Sequence, residues 1–139
     1  MFSRRRIGIP ALLLFALAGC DEANPDLNSP DPLVRGEAIF DQVCADCHGP
    51  RGQGDALYPP LANTRWTNGD PADTARVLVR GLEGPITVAG RRYSGTMPSQ
   101  GHRSDEDLIA VGTWVRQAWG NDAPPLTASD IAAARGEVP

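Results

Sequence analysis

The sequence predicts a small all-α fold, about three to five helices with one short β-hairpin, and three observations predict it. First, Cys44-Ala45-Asp46-Cys47-His48 sets two cysteines three positions apart with histidine directly after, the spacing that attaches a c-type haem. On a helix, positions three and four apart share a face, so both sulfurs can meet one porphyrin while the adjoining imidazole reaches the iron. Second, helix-start signals stand at Asp31-Pro32, Asp70-Pro71 and Ser104, each ahead of an apolar run of helical period. Third, Ile86-Thr87-Val88 and Arg91-Arg92-Tyr93 flank Ala89-Gly90 as a hairpin would. The helices therefore gather around one covalently bound haem, which supplies apolar mass to a domain too small for a large core of its own.

The competing reading of Cys-x-x-Cys is half a zinc site or a dithiol pair. Zinc needs a second pair of ligands, and the remaining Cys20 and His102 fit no familiar zinc spacing. The motif also does not follow the strand of a βαβ unit, where a thioredoxin-like pair would sit.

In chain order, residues 1–19 read as a lipoprotein signal peptide. Arg4-Arg5-Arg6 forms a positive start, Ile7–Ala18 is apolar, and Leu17-Ala18-Gly19-Cys20 ends it. That tetrapeptide resembles the lipobox of bacterial lipoproteins, which makes Cys20 the expected lipidated residue and membrane anchor. The alternative is an ordinary signal with a dispensable cysteine. Residues 20–31 carry the lipidated cysteine and a polar, proline-punctuated tether. The haem-binding domain is expected over 32–120, and 121–139 form a C-terminal extension with a short helix.

Loss of the signal removes three arginines and no acids, so the net charge of −4 becomes more negative still. The chain contains no lysine, which leaves nucleic-acid binding without a basic patch and points to a partner with a basic docking surface.

The first helix opens with Asp31 as cap and Pro32 in the first turn, and lays Leu33, Gly36, Ile39, Phe40 and Val43 along one side before ending in the haem motif at Gly49. Glycine is costly inside a helix, so Gly36 marks a close helix contact. From Gly49 to Gly69 the chain reads as loop. Its glycines lack the preceding strand and the lysine of a phosphate-binding loop, which leaves a tight turn around the haem edge as the stronger reading.

Asp70 starts a second helix with Ala75, Leu78 and Val79 on its apolar face and Gly81 as its end. The hairpin leads into Gly95-Thr96-Met97-Pro98, a loop expected to be held by Pro98. Ser104 caps the longest helix, with Asp107 as its reciprocal capping partner and Leu108, Ile109, Val111, Gly112, Val115 and Trp119 turned inward. Trp114 or Val115 is expected against the Gly36–Phe40 face. Thr127 to Arg135 forms a short capped helix to which the pattern assigns no partner.

Histidine leaves the far side of the iron to a second ligand or open. Met1 departs with the signal, so Met97 is the sole methionine left, and it is the expected ligand. His102 and an open position are the alternatives.

With CADCH, Pro59-Pro60-Leu61 and Tyr93-Ser94-Gly95-Thr96-Met97-Pro98 together, the chain from Pro32 to Gly120 resembles the small class I cytochromes c. Val79–Gly90 and Thr113–Asn121 resemble a bacterial subgroup that serves or fuses to membrane-bound respiratory enzymes. The resemblance implies a proline carbonyl, Pro59 first and Pro60 second, accepting the Nδ1 proton of His48. It further implies Leu61 against the porphyrin, Trp66 or Tyr93 near the propionates, and Gly36 and Phe40 against the C-terminal helix.

Its functional implication is a single-haem electron carrier without bond chemistry, tethered on the outer, periplasmic side of a bacterial cytoplasmic membrane. Its redox partners would be a respiratory oxidase, reductase or dehydrogenase, and it would be a monomer outside such a complex. Asp21 resembles the residue that retains some lipoproteins in the inner membrane. The rivals are the electron-accepting subunit of a quinoprotein or flavin dehydrogenase, and a haem sensor with an open iron. Mitochondrial cytochrome c docks through lysines, so its partner surface cannot be transferred to this chain.

Overall fold

The computed structural model describes residues 27–136. The signal segment, Cys20 and the tether up to residue 26 lie outside the described residues. Among the described residues no helix is long and apolar enough to cross a membrane.

Helix α1 (Pro32–Ile39) is capped as expected, with the Asp31 carboxylate accepting from Leu33 N at 2.9 Å and Pro32 in the first turn. The chain then widens into a π-helical turn over Phe40–Cys44, where Ala45 N–H donates to Phe40 O, before closing as α2 (Ala45–His48). Such a turn holds one extra residue and so resets the angular phase between α1's core stripe and the cysteine motif. Leu33 is 41% exposed and Val43 only partly buried, so the apolar stripe predicted for this helix is narrower than its sequence pattern. Gly49 ends α2 with φ 77, a conformation that glycine adopts without penalty.

The segment expected to be loop contains α3 (Arg65–Asn68). At four residues its start is marked by Thr64, which makes no side-chain cap bond, so no sequence signal announces it. Helix α4 (Pro71–Arg80) matches its predicted bounds, with Asp70 as cap, Ala75, Leu78 and Val79 buried, and Gly81 at its end.

The hairpin is longer than predicted. β1 (Leu82–Val88) and β2 (Arg91–Met97) pair antiparallel from Val88↔Arg91 to Leu82↔Met97. Gly84-Pro85 and Gly95 hide the strand pattern, since neither residue type favours strands.

Helix α5 (Asp105–Gln117) is capped by Ser104, whose hydroxyl accepts from Asp107 N at 3.2 Å. The expected reciprocal bond is absent from this cap. Asp107 instead accepts from Arg35 Nε at 2.7 Å, tying α5 to α1. Trp119 lies beyond the helix end in a left-handed conformation, φ 53, rather than on its inner face. Helix α6 (Ala128–Arg135) opens with a complete capping box between Thr127 and Asp130.

The core forms where α5 crosses α1. A Cβ on Gly36 would stand 2.7 Å from both the Ala110 carbonyl carbon and Trp114 Cβ, so the helices approach with no side chain between them. Phe40, Trp114 and Trp119 then close a triangle with every pair of ring centroids 4.9 Å apart. On its other side α5 meets α4 and α6, which explains the burial of Thr113 and Arg116 as well as the predicted inward face.

α6 supplies the fully buried Ile131 and packs on α4, and Arg80 Nε donates to Ala134 O at 2.6 Å. Arg135 reaches Asp105, Gly101 O and Arg103 O at 2.8–3.0 Å, binding the extension to the segment that follows Met97.

Gly36→Ala should destabilise the folded holoprotein by about 1–3 kcal/mol, the range for forcing a methyl into a filled contact. Denaturant melts followed by far-ultraviolet circular dichroism would measure it.

Candidate haem site

One apolar cleft opens between the α1–α2 segment, the 57–61 loop, α4, α5 and the hairpin, enclosing about 1190 Å³ counted to its mouth. Cys44, Cys47, His48, Pro59, Pro60, Leu61, Trp66, Tyr93 and Met97 all line it. They come from four separate parts of the chain. His102 is exposed and is not among the lining residues.

The two sulfurs arrive on consecutive turns, Cys44 closing the π-helical turn and Cys47 standing on α2. Both thiols are free among the described residues, with Cys44 partly buried and Cys47 exposed. Burial pushes the Cys44 thiol up to about 11, against a smaller pull from Arg103, so at neutral pH it is an uncharged group against an apolar wall.

His48 is buried, and its Nδ1 lies 2.9 Å from Pro59 O. A carbonyl can only accept, so the proton sits on Nδ1 and the Nε2 lone pair is left free. Burial holds the imidazole below its ordinary pKa, opposed by the bond to Pro59, which keeps the ring neutral and able to bind a metal.

The loop that presents Pro59 is itself pinned. Asp55 accepts from Leu57 N at 2.7 Å and Tyr58 N at 2.8 Å, and Gly52 O accepts from Leu61 N at 2.7 Å. Those two amide donors hold the Asp55 carboxyl below the usual carboxylate range.

Met97 is the last residue of β2, paired with Leu82, and not part of a loop held by Pro98. Alternate residues of the ribbon explain why: Leu82, Gly84, Ile86 and Val88 on one strand and Tyr93, Gly95 and Met97 on the other all face the cleft. The strand pairing thus continues for as long as there is a wall to build. Past it, Ser99 Oγ donates to Val79 O and Gln100 N to Leu78 O at 2.8 Å, clamping the chain to the end of α4.

A polar rim at the α3 end was only partly legible. Trp66 sits on α3 with Arg65 stacked 4.8 Å from its ring centroid, and its buried Nε1 has no hydrogen-bond partner among the described residues. An orphaned indole N–H at the wall of an apolar cleft calls for an acceptor from a bound group. The haem carboxylates are such acceptors, and the free thiols, the oriented imidazole and the apolar lining suit the rest of that molecule.

Tyr93 is buried beneath Arg91, and its hydroxyl lies 3.5 Å from Asp55 O. Asn121, where the C-terminal extension begins, is 5% exposed and serves as a hub. Its Nδ2 donates to Leu61 O and Val115 O, and its Oδ1 accepts from Asn63 N and Asn68 Nδ2. Nothing in its sequence neighbourhood marks that role.

Residues 33–119 match the cytochrome c family. The chain belongs to this family. It therefore carries covalently attached haem c and transfers electrons rather than catalysing bond chemistry. Over 106 residues it is 35% identical to cytochrome c-552 of Thermus thermophilus, covering 69% of this chain and 80% of that protein. It is 33% identical over 99 residues to the cytochrome c subunit of the quinone-type alcohol dehydrogenase of Gluconobacter oxydans, covering 69% of this chain and 21% of that one. Cytochrome c-554(547) of Halothiobacillus neapolitanus is 34% identical over 87 residues, 58% of this chain and 89% of its own. Helix α6 lies outside the family match.

Asn121→Ala should cost about 1–3 kcal/mol by stranding buried donors and acceptors, and should loosen the Leu61 wall. Thermal unfolding of the holoprotein, read at the haem absorption band, would record both.

Proposed function

We propose that this cytochrome is a membrane-tethered, single-haem electron carrier whose iron is held between His48 and Met97. The observation that carries the ligand assignment is the His48 Nδ1 bond to Pro59 O, which leaves Nε2 to face a cleft that Met97 lines from the far strand. Among the described residues the thioether is the sole sulfur donor left once Cys44 and Cys47 are spent on attachment.

The bound haem supplies a one-electron couple. Cys44 and Cys47 hold it in place, and Pro59 fixes the imidazole plane and tautomer. Trp66 Nε1 would donate to a haem carboxylate, and Tyr93 also lines the cleft. Leu61 and Pro60 exclude water from the macrocycle. An apolar lining disfavours the more charged oxidised state, and ligands retained in both states limit rearrangement on transfer.

Lipid on Cys20 would hold the domain at the periplasmic face of the cytoplasmic membrane, where confinement to the surface allows docking itself to stay weak. Retention there, rather than in the outer membrane, rests on Asp21. A second reading is favoured by the Gluconobacter relative: an electron-accepting subunit bound to a membrane dehydrogenase. Co-purification with a catalytic subunit from detergent extracts supports that reading, and a wholly monomeric extract removes it.

Met97→Ala should keep the covalent haem, lose the methionine-to-iron absorption of the oxidised form, lower the midpoint potential and admit carbon monoxide rapidly. Unchanged spectra would remove the ligand assignment. Rapid carbon monoxide binding by the unaltered protein would favour the open-iron sensor. Cys20→Ala should move the protein from the membrane pellet to the soluble fraction, and persistent sedimentation would defeat the tether.

A further inference from the structure

We propose that Arg116 raises the reduction potential of the haem by standing as a buried positive charge, without a direct ion-pair partner among the described residues, behind the cleft wall. The side chain is fully buried, at 0% exposure. Its Nε donates to Pro124 O at 2.8 Å, one terminal nitrogen to Thr74 Oγ1 at 3.1 Å and the other to Gly69 O at 3.0 Å. All three acceptors are neutral. The ion pairs among the described residues join Arg35 to Asp107, Arg76 to Asp73 and Arg135 to Asp105, and none involves Arg116. Asp130 and Asp70 attract it without forming an ion pair.

A guanidinium keeps its proton at any ordinary pH, so the hydrogen bonds replace its hydration without cancelling its charge. Such a charge is felt over long distances where water is excluded.

Its position relative to the cleft follows from its neighbours. Thr74, which takes one of its N–H groups, lines the cleft, as do Val115 beside it on α5 and Gly112 one turn earlier. Thr74 Oγ1 donates onward to Trp66 O at 2.8 Å, so the cation is one hydroxyl behind Trp66, a cleft-lining residue whose buried indole N–H has no partner among the described residues. The oxidised haem carries one more positive charge than the reduced form. A fixed cation on this side therefore disfavours oxidation, and the midpoint rises.

A purely structural cross-link among Gly69, Thr74 and Pro124 would explain the same bonds, and charge separates the two accounts. The test compares midpoint potentials of the mature holoprotein with Arg116→Lys and Arg116→Gln, alongside their thermal midpoints. At fixed applied potential, Arg116→Gln should shift the reduced-to-oxidised ratio about tenfold toward oxidised, a fall of about 59 mV for one electron. Arg116→Lys should stay within about threefold of the unaltered protein, though it forms fewer bonds and melts earlier. Equal potentials in all three proteins, or equal falls in both variants, would overturn the proposal.

Should the glutamine variant fail to mature, the lysine variant suffices. A buried ammonium discharges as pH rises, so its midpoint should drop away from that of the unaltered protein between about pH 6 and about pH 10. Parallel curves over that range would refute the proposal. The inference rests on the family's haem and not on the methionine ligand: absence of the methionine band in the unaltered protein would strike that assignment and leave this comparison intact.

Discussion

Because Gly36 has no side chain, α1 lies directly on the Ala110 carbonyl of α5, and the rest of the domain takes its place from that approach. On one side of the crossing the Phe40, Trp114 and Trp119 rings fill the angle between the helices. On the other, α5 is free to receive α4 and α6. The helix that makes the contact also ends in the cysteine motif, so the depth at which α1 seats fixes where the two sulfurs and the imidazole stand. A side chain at residue 36 would move all three together.

Around that frame the cleft is apolar on its walls and polar at its supports. Asn121 and Thr67 hold the Leu61 carbonyl, Asp55 holds the turn before Pro59, and Thr74 holds the Trp66 carbonyl. Each is a short polar side chain satisfying backbone groups that a loop would otherwise leave unpaired. They let irregular chain be as firmly placed as helix, which a ligand-orienting proline carbonyl requires.

Elements governed by local chemistry were legible in the sequence. Asp31-Pro32, Asp70-Pro71, Ser104 and Thr127 each opened the helix they announced, and Gly36 was a true close contact. What stayed hidden depends on partners distant in the chain. The strands continue through Gly84-Pro85 and Gly95 because a cleft wall needs them, not because those residues favour strands. Asp107 left its expected cap bond for Arg35, and Asn121 and Arg116 look like a chain breaker and a surface charge until Leu61, Gly69 and Thr74 are brought beside them. The cleft residues were identifiable because haem attachment demands a fixed local spacing, whereas the supports behind them obey no spacing at all.

The two-stranded ribbon closes the cleft with one face and has no third strand beside it among the described residues. A lone hairpin has little stability in water. The ribbon's order therefore rests on the cleft that it walls, so whatever fills that cleft sets how firmly the ribbon stays in place.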